Sequence, residues 1–304
     1  MKLRAPAPGK INLALFLGAT RADGRHELVT LFQPVSLADE VSLETLDGPG
    51  ADVLVCPGVE GPNIASRALA ELRARGWAGP RVRVEIQKRI PVAAGMAGGS
   101  ADAAAVLRLA AAAQPFSRPA LAVEIAGMLG SDVPSQLTPG PALGTGAGEI
   151  IAPVPPRAPF AAVILPSASS LSTADVYAEA DRLGLARSPA ELESRRRVLE
   201  AALRSGPGLP AELLVNDLEP AARSLCPSIG GALAYARQIG ADDAIVCGSG
   251  PTVAGIFWGV DGVARARLAA ATAAERFPAA VEVVPVDAGF AVVLDATCQP
   301  RPAQ

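Results

Sequence analysis

The chain has 304 residues, 50% of them hydrophobic, and a formal net charge of −3 at pH 7. This length suits two compact lobes better than one core. The mild charge, without a cluster of Lys and Arg typical of nucleic-acid-binding surfaces, argues against a nucleic-acid partner. Because His26 is the only histidine, a metal site built from several histidines is excluded.

The first twenty residues allow two interpretations. Basic residues precede a short apolar run, as in a secretory signal, but Asn12 interrupts this run and apolar residues alternate with others from Ile11 to Leu17, as in a strand. We favour the strand. No apolar stretch is long enough to span a bilayer, and four widely spaced cysteines without a C-x-x-C pair are typical of reduced thiols. We therefore expect a soluble, cytoplasmic protein.

The first half of the chain alternates strand and helix patterns. Apolar runs and alternation predict strands over residues 11–17, 29–35, 40–46 and 81–86. Apolar periodicity and composition predict helices over residues 63–75, 101–113 and 120–129. This half therefore combines a sheet with several helices.

A proline-rich segment at residues 153–156 marks the main boundary of the chain. After it, strands are predicted over residues 160–165, 244–246, 253–258 and 281–286. Helices are predicted over residues 173–183, 189–204 and 264–277, with one or two more within residues 220–240. These patterns predict an α+β protein with one lobe of residues 1–152, a second lobe of residues 153–295 and a flexible tail of residues 296–304.

A loop of small residues, 91–100, lies between a predicted strand and a predicted helix. Its glycines lack a Cβ, so the backbone can approach a ligand closely and direct several N–H groups at one point. The helix N-terminus that follows favours an anion, and Ser100 is predicted to cap this helix. A tight turn before a capped helix explains the same pattern, so the loop alone leaves both interpretations open.

The best-known nucleotide-binding patterns do not fit the sequence. Gly9-Lys10 lacks both the first glycine and the Ser/Thr of a Walker A loop. No G-x-G-x-x-G dinucleotide loop occurs, and the HRD and DFG elements of protein kinases are missing. These classes are excluded.

Three segments occur in an order that resembles the GHMP kinase superfamily: residues 8–13, residues 91–104 and residues 248–252. Further segments resemble one branch of that superfamily, whose substrate is a cytidine diphosphate derivative of methylerythritol. They are Arg21-Ala22-Asp23-Gly24 with His26-Glu27-Leu28, Leu31-Phe32-Gln33, Leu129-Gly130-Ser131-Asp132-Val133-Pro134, and Gly146 to Glu149. The resemblance covers most of the chain up to about residue 285.

This resemblance implies a two-lobed α+β GHMP kinase fold with the active site in the cleft between the lobes. It also implies that ATP, with Mg²⁺, donates its γ-phosphate to a hydroxyl of a small-molecule substrate. By resemblance, Asp132 accepts the proton of that hydroxyl, and Lys10 stabilises negative charge on the hydroxyl and the phosphate. Alternatively, Asp132 caps a turn before Pro134 and Lys10 is a surface lysine.

The resemblance also assigns residues to ATP. On the glycine-rich loop these are Pro91, Ala93, Ala94, Gly95, Met96, Ala97, Gly98, Gly99, Ser100 and Ala101. From the second lobe, Gly248, Ser249, Gly250 and Thr252 would close on the phosphates, although a β-turn explains this segment too. Ala97 stands where glycine is commoner in the family, and its methyl group is tolerable unless the position needs a positive φ.

The substrate-binding residues implied by the resemblance are Asn12, Arg25, His26, Phe32, Thr173 and Tyr177. His26 would hydrogen-bond the cytosine and Tyr177 would stack on it. Arg25 departs from the family, which usually has Tyr there, although a guanidinium can also stack on a base. This departure keeps open a GHMP kinase for another small alcohol, such as homoserine, mevalonate or a sugar. A nucleotide-binding module without catalysis is a third alternative, which the presence of Lys10 and Asp132 disfavours.

Overall fold

The computed structural model describes residues 1–296, and the α+β class predicted from the sequence is confirmed. Within these residues, a first sheet has seven strands. They are β1 (Lys2–Thr20), β2 (His26–Thr45), β3 (Val53–Val55), β4 (Val82–Gln87), β5 (Ala142–Thr145), β6 (Ile150–Pro153) and β11 (Leu294–Asp295). Their order is β11-β1-β2-β4-β3, and β5 and β6 extend the sheet from the first part of β2.

The strand β2 is one continuous element, whereas the sequence predicted two strands over residues 29–35 and 40–46. Residues 30–32 of β2 pair with β5 and residues 40–45 pair with β4, while β1 pairs along nearly the whole length. Pro34 lies between the two stretches that have a second strand neighbour. Proline has no N–H to donate, but neither β4 nor β5 pairs with β2 at this residue. No hydrogen bond to a second neighbouring strand is therefore lost, and β2 continues through Pro34.

Four helices cover the first sheet: α1 (Ile64–Ala74), α2 (Gly98–Ala113), α3 (Leu121–Leu129) and α4 (Val133–Leu137). The side chain of Asn63 caps α1 by accepting a 2.8 Å hydrogen bond from Ala65 N. Alanine dominates the buried face of α2, so this helix packs closely against the sheet and against α1. Leu72, Ile86 and Leu107 are among the fully buried side chains of this core.

The second half of the chain forms a four-stranded sheet in the order β10-β7-β9-β8. Its strands are β7 (Phe160–Leu165), β8 (Asp243–Val246), β9 (Val253–Trp258) and β10 (Val281–Val283). Its helices are α5 (Thr173–Arg182), α6 (Pro189–Ser205), α7 (Glu219–Leu225), α8 (Ser228–Gln238) and α9 (Gly262–Ala273), with one 3₁₀ turn at Ala211–Leu213. The segment 220–240 therefore contains two helices. Ser188 and Glu191 form a capping box at the start of α6.

The end of β1 joins the two halves. Leu15 N donates to Val215 O at 2.7 Å, and Leu17 N donates to the Asp217 carboxylate at 2.9 Å. The side chains of Leu15 and Leu17 belong to the core of the second half. Because β1 also carries residues 8–13, this junction fixes that segment relative to both sheets.

The predicted lobe boundary between residues 152 and 153 stays a prediction, although β11, beyond that boundary, pairs with β1 in the first sheet. The predicted tail lies outside the described residues except for Ala296, and so does Cys298. Cys56, Cys226 and Cys247 are free thiols. Across residues 1–296, no helix is both long enough and apolar enough to cross a membrane.

Candidate active site

A cavity of about 410 Å³ lies between the glycine-rich loop, β1 and the loop that follows β8. A second cavity, of about 610 Å³, lies beside α5 and the turn between β1 and β2. The two cavities share four polar wall residues, Ser100, Asp132, Thr173 and Tyr177. They therefore form one continuous cleft, with Asp132 at the junction.

Lys10 lies at the floor of the first cavity and is only 4% exposed. Its Nζ donates to Asn12 Oδ1 at 2.7 Å and to Gly95 O at 3.2 Å. Asn12 is held in turn, because its Nδ2 donates to Thr30 Oγ1 at 2.8 Å. Lys10 is thus a buried, oriented cation, and the alternative of a surface lysine is wrong.

The Asp132 carboxylate lies 3.7 Å from Lys10 Nζ. Asp132 precedes α4 at its N-cap position, but its side chain makes no capping hydrogen bond. About a third of this side chain is exposed, so the carboxylate is open to the cleft. The alternative in which the Asp132 carboxylate serves to cap a turn is therefore wrong as well.

The glycine-rich loop leads directly into α2, which begins at Gly98 rather than near residue 101 as predicted. Ala97 is the N-cap residue and has a φ of 57°. Ser100 is therefore inside the first turn of α2, and its predicted capping role is wrong. The first N–H groups of a helix have no intrahelical partner, so this turn presents donors to an anion in the cavity.

Close packing explains why Gly95 is a glycine. A Cβ at this residue would lie 1.9 Å from Cys247 O, and its φ is +73°. At Gly99, by contrast, a Cβ would meet only Ile64 Cδ1, at 3.8 Å. The loop therefore contacts the second half of the chain at Gly95 and leaves open space beside Gly99.

Four of the residues predicted to bind ATP do not line the cavity. Met96 and Ala101 point into the protein core, where they are 1% and 0% exposed. In the second-lobe loop, Gly248 and Ser249 line the cavity, while Gly250 and Thr252 are buried behind them. The other predicted loop residues lie in the wall: Pro91, Ala93, Ala94, Gly95, Ala97, Gly98, Gly99 and Ser100.

Asn216 holds the second-lobe loop and was missed by the sequence reasoning. Its Nδ2 donates to Val246 O at 2.9 Å and to Gly248 O at 2.7 Å, and its side chain is buried. Ser249 Oγ lies 3.0 Å from Thr173 Oγ1, which links this loop to α5. Burial raises the pKa of the neighbouring Cys247 thiol to about 12, so this thiol is not a nucleophile at neutral pH.

The second cavity contains the predicted base-binding residues. His26 Nε2 lies 2.8 Å from Asp181 Oδ1 and 3.1 Å from Thr20 Oγ1. The rings of His26 and Tyr177 pack at 5.0 Å between centroids, with 39° between their planes. A flat group entering this cavity would meet these rings together.

Arg25 lies at the mouth of the second cavity. Its guanidinium donates to the Asp23 carboxylate at 2.9 Å and lies 3.8 Å from Glu149 Oε1. It is therefore held by two carboxylates at the surface. Asn12 and Phe32 line the first cavity instead, and Lys10 Nζ lies 5.7 Å from the centre of the Phe32 ring.

A charged cluster lies under the glycine-rich loop, where Lys88 and Asp102 line the first cavity, and the sequence reasoning also missed it. Lys88 Nζ donates to Asp39 Oδ2 at 2.5 Å and to Asp102 Oδ2 at 2.7 Å. Burial and the charge of Asp39 raise the pKa of Asp102 to about 7, although Lys88 opposes this shift.

Comparison with protein-family models matches two parts of the chain. Residues 63–140 match the model of the GHMP kinases N terminal domain, and residues 198–277 match that of the GHMP kinases C terminal. The match in the first half includes the glycine-rich loop and Asp132.

Curated relatives and solved structures give the same result. A 4-diphosphocytidyl-2-C-methyl-D-erythritol kinase of Mycolicibacterium gilvum is 45% identical over 258 residues, which cover 81% of this chain and 79% of the relative. A kinase of the same name from Streptomyces coelicolor is 42% identical, covering 84% and 87%. A crystal structure of a 4-(cytidine 5'-diphospho)-2C-methyl-D-erythritol kinase superposes with a TM-score of 0.73 at 33% identity, covering 93% of this chain and 98% of the other. A homoserine kinase from Cytophaga hutchinsonii, at 18% identity and a TM-score of 0.67 over 97% of each chain, shares the fold alone.

Proposed function

Because the chain belongs to the GHMP kinase family, within its 4-diphosphocytidyl-2-C-methyl-D-erythritol kinases, we propose that it phosphorylates this cytidyl compound. The enzyme transfers the γ-phosphate of ATP to the 2-hydroxyl of the methylerythritol, a step of non-mevalonate isoprenoid synthesis. One observation carries the assignment: the Lys10–Asp132 pair lies where the cavity of the glycine-rich loop meets the cavity of His26 and Tyr177. ATP as co-substrate favours a cytoplasmic location.

The first cavity suits the phosphates of ATP. The first turn of α2 supplies unpaired N–H groups, and the space beside Gly99 is open to a ligand. Within residues 1–296, no group of three or more His, Cys, Asp or Glu side chains could hold a metal ion. Mg²⁺ would therefore be held mainly by the phosphates of ATP, where it would neutralise charge on the transferred group. We assign ATP to the lobe of residues 1–152.

Asp132 is proposed to accept the proton of the 2-hydroxyl. A tertiary alcohol is a weak acid, so an ionised carboxylate within hydrogen-bond reach of it lowers the barrier to attack. Lys10 can stabilise the negative charge that develops on the attacking oxygen, because its ammonium is buried and already oriented by Asn12 and Gly95. The 3.7 Å separation of the two side chains lets both contact one oxygen atom.

The second cavity is proposed to bind the cytidine diphosphate end of the substrate. Asp181 accepts the hydrogen of His26 Nε2, since a carboxylate can only accept, and Nδ1 is then available to the base. Tyr177 provides an aromatic face next to this ring. Arg25, at the mouth, offers positive charge to the diphosphate.

Homoserine, mevalonate or a sugar would leave the second cavity unfilled. The enzyme is expected to release ADP with the cytidyl substrate and Mg²⁺, and not with these three compounds. Phosphorus NMR would identify a phosphate ester at the tertiary carbon. ADP release with one of the other alcohols, and none with the cytidyl compound, would contradict the proposed acceptor. ATP binding without any transfer would favour a nucleotide-binding module.

A further inference from the structure

A cluster of three charged side chains lies beneath the glycine-rich loop: two buried carboxylates and a lysine that reaches the wall of the first cavity. Asp39 comes from β2, Lys88 follows β4, and Asp102 is in the second turn of α2. Asp39 and Asp102 are 1% and 2% exposed. Burial of charged groups is costly unless they are paired, so this cluster needs a structural or functional reason.

Asp39 fixes the beginning of the loop. Its Oδ1 accepts hydrogen bonds from Arg89 N at 2.5 Å and from Ile90 N at 2.8 Å, and its Oδ2 accepts from Lys88. Three donors therefore converge on one carboxylate. Since Ile90 directly precedes the loop, Asp39 sets where the loop begins.

Lys88 connects this carboxylate to the end of the loop. Its ammonium bonds both Asp39 and Asp102, and Asp102 is four residues after the start of α2. Lys88 Nζ also lies 3.3 Å from the position that a Cβ of Gly98 would occupy. The two ends of the loop are therefore tied through a single ammonium group.

The cluster is unevenly satisfied. Asp102 Oδ1 is buried and has no hydrogen-bond partner, whereas both oxygens of Asp39 are bonded. Asp39 and Asp102 share the single ammonium group of Lys88. The second carboxylate therefore adds little to the stability of the fold beyond what a well-packed apolar side chain would supply. Its position just after the first turn of α2 suggests a reason other than overall stability.

We propose that Asp39, Lys88 and Asp102 form a clamp that positions the first turn of α2 for the phosphates of ATP. This inference rests on the proposed function, which assigns ATP to that turn. Lys88 and Asp102 reach the wall of the first cavity, so the positioning effect is separable from direct contact only at Asp39. Asp39 lies outside the cleft wall and cannot touch ATP, so it acts through the loop. A shift of the loop of about 1 Å is enough to weaken phosphate contacts strongly.

The test measures ATP binding directly, by calorimetry with ATP and Mg²⁺, in the full-length protein. The variants are Asp39→Asn, Lys88→Met and Asp102→Ala. Asp39→Asn is the critical one, because its amide keeps an oxygen for the two backbone donors but presents an NH₂ group to Lys88. We expect each variant to weaken ATP binding about tenfold or more, while KM for the acceptor changes less than about twofold.

Two further variants serve as controls. Arg89→Met changes an exposed neighbour whose nearest carboxylate, Glu40, lies 3.7 Å away, and it should leave ATP binding unchanged. Asp102→Asn can still accept a hydrogen bond from Lys88 and should recover most of the affinity that Asp102→Ala loses. Thermal melting checks that every variant is folded. If Asp39→Asn or Lys88→Met does not fold, the test uses the difference in ATP binding between Asp102→Ala and Asp102→Asn.

The outcomes distinguish a failure of the proposed function from a failure of the clamp. If the wild-type protein binds no ATP, the proposed function fails. If the wild type binds ATP and the clamp variants bind it within about twofold, the clamp alone is wrong. Equal weakening of ATP and acceptor binding would also overturn it, because that result indicates general damage to the fold.

Discussion

The carboxylate of Asp132 lies 3.7 Å from the ammonium of Lys10, although the first is a third exposed and the second is buried. The pair therefore combines a rigid cation with an accessible base. Lys10 is fixed by Asn12 and by the glycine-rich loop. The asymmetry suits a reaction in which a hydroxyl must approach the carboxylate and lose its proton there.

The Asp132→Asn variant is expected to lose turnover while it keeps substrate affinity. An amide has nearly the same shape but cannot accept the proton, and general-base catalysis typically contributes about 10²–10⁴-fold. Steady-state kinetics with direct binding of both substrates would check this. Asp175→Asn, an exposed carboxylate on α5 outside both cavities, is the matched control. A normal kcat for Asp132→Asn would remove Asp132 as the base.

The Asp181→Ala variant is expected to raise KM for the cytidyl substrate about tenfold, with little change in KM for ATP. The carboxylate holds the His26 ring through Nε2, and without it only the Thr20 hydroxyl, 3.1 Å away, still contacts that nitrogen. Kinetics with each substrate varied in turn would show the split. The idea is wrong if both constants rise together, or if Asp175→Asn has the same effect.

The Arg25→Ala variant is expected to raise KM for the cytidyl substrate by about two- to fivefold, the size typical of an exposed charge contact. Salt screens such contacts, so the variant should also show a weaker dependence of KM on ionic strength. The measurement is KM at several salt concentrations, with Arg118→Ala, an exposed arginine paired with Glu124, as the control. An unchanged salt dependence would show that Arg25 does not contact the diphosphate.

The contribution of Asp102 to stability is expected to decrease as the pH rises from about 4 to about 7. Asp102 titrates near pH 7 in the folded protein, whereas an unfolded Asp releases its proton near pH 4. Across that window the folded state holds a proton that the unfolded state has lost, so the free energy of unfolding falls by about 1–3 kcal/mol and then levels off. Denaturant unfolding at a series of pH values would measure this. Asp102→Asn should lack this contribution, and an identical slope in that variant would contradict the assignment.

The Ala97→Gly variant is expected to stabilise the protein by up to about 1 kcal/mol. A non-glycine residue at positive φ is strained by about 1–2 kcal/mol, and glycine removes this strain. Part of the gain is lost because glycine makes the unfolded chain more flexible. The melting temperature would report the change. Ala103→Gly, inside α2, should destabilise by about 1 kcal/mol or more. If both variants destabilise, the strain at Ala97 is not the deciding factor.

Periodicity predicted the longer helices and most of the longer strands, and the family motifs implied the lysine–carboxylate pair. The short strands β3, β5, β6 and β11 and the short helix α4 were not predicted. The prediction that Ser100 caps α2 was wrong, because the preference for Ser at helix caps does not reveal that Ala97 adopts a positive φ and starts the helix earlier. Asp39 was also missed, although strand alternation places it on the same inward face as Val35, Leu37, Val41 and Leu43. Its partner Lys88 is 49 residues away, and no local pattern connects the two.

The pairing of β11 with β1 has a consequence for biosynthesis. Leu3 and Arg4 pair with Asp295 and Leu294, and Arg108 on α2 bonds both Pro6 O and Ala291 O. The edge of the first sheet therefore stays unpaired on the ribosome until Leu294 and Asp295 have been synthesised. Contacts so distant in sequence form slowly, and open strand edges attract other chains. While β11 is absent, Leu3 and Arg4 on β1 form an open edge at which the nascent chain can pair with another strand.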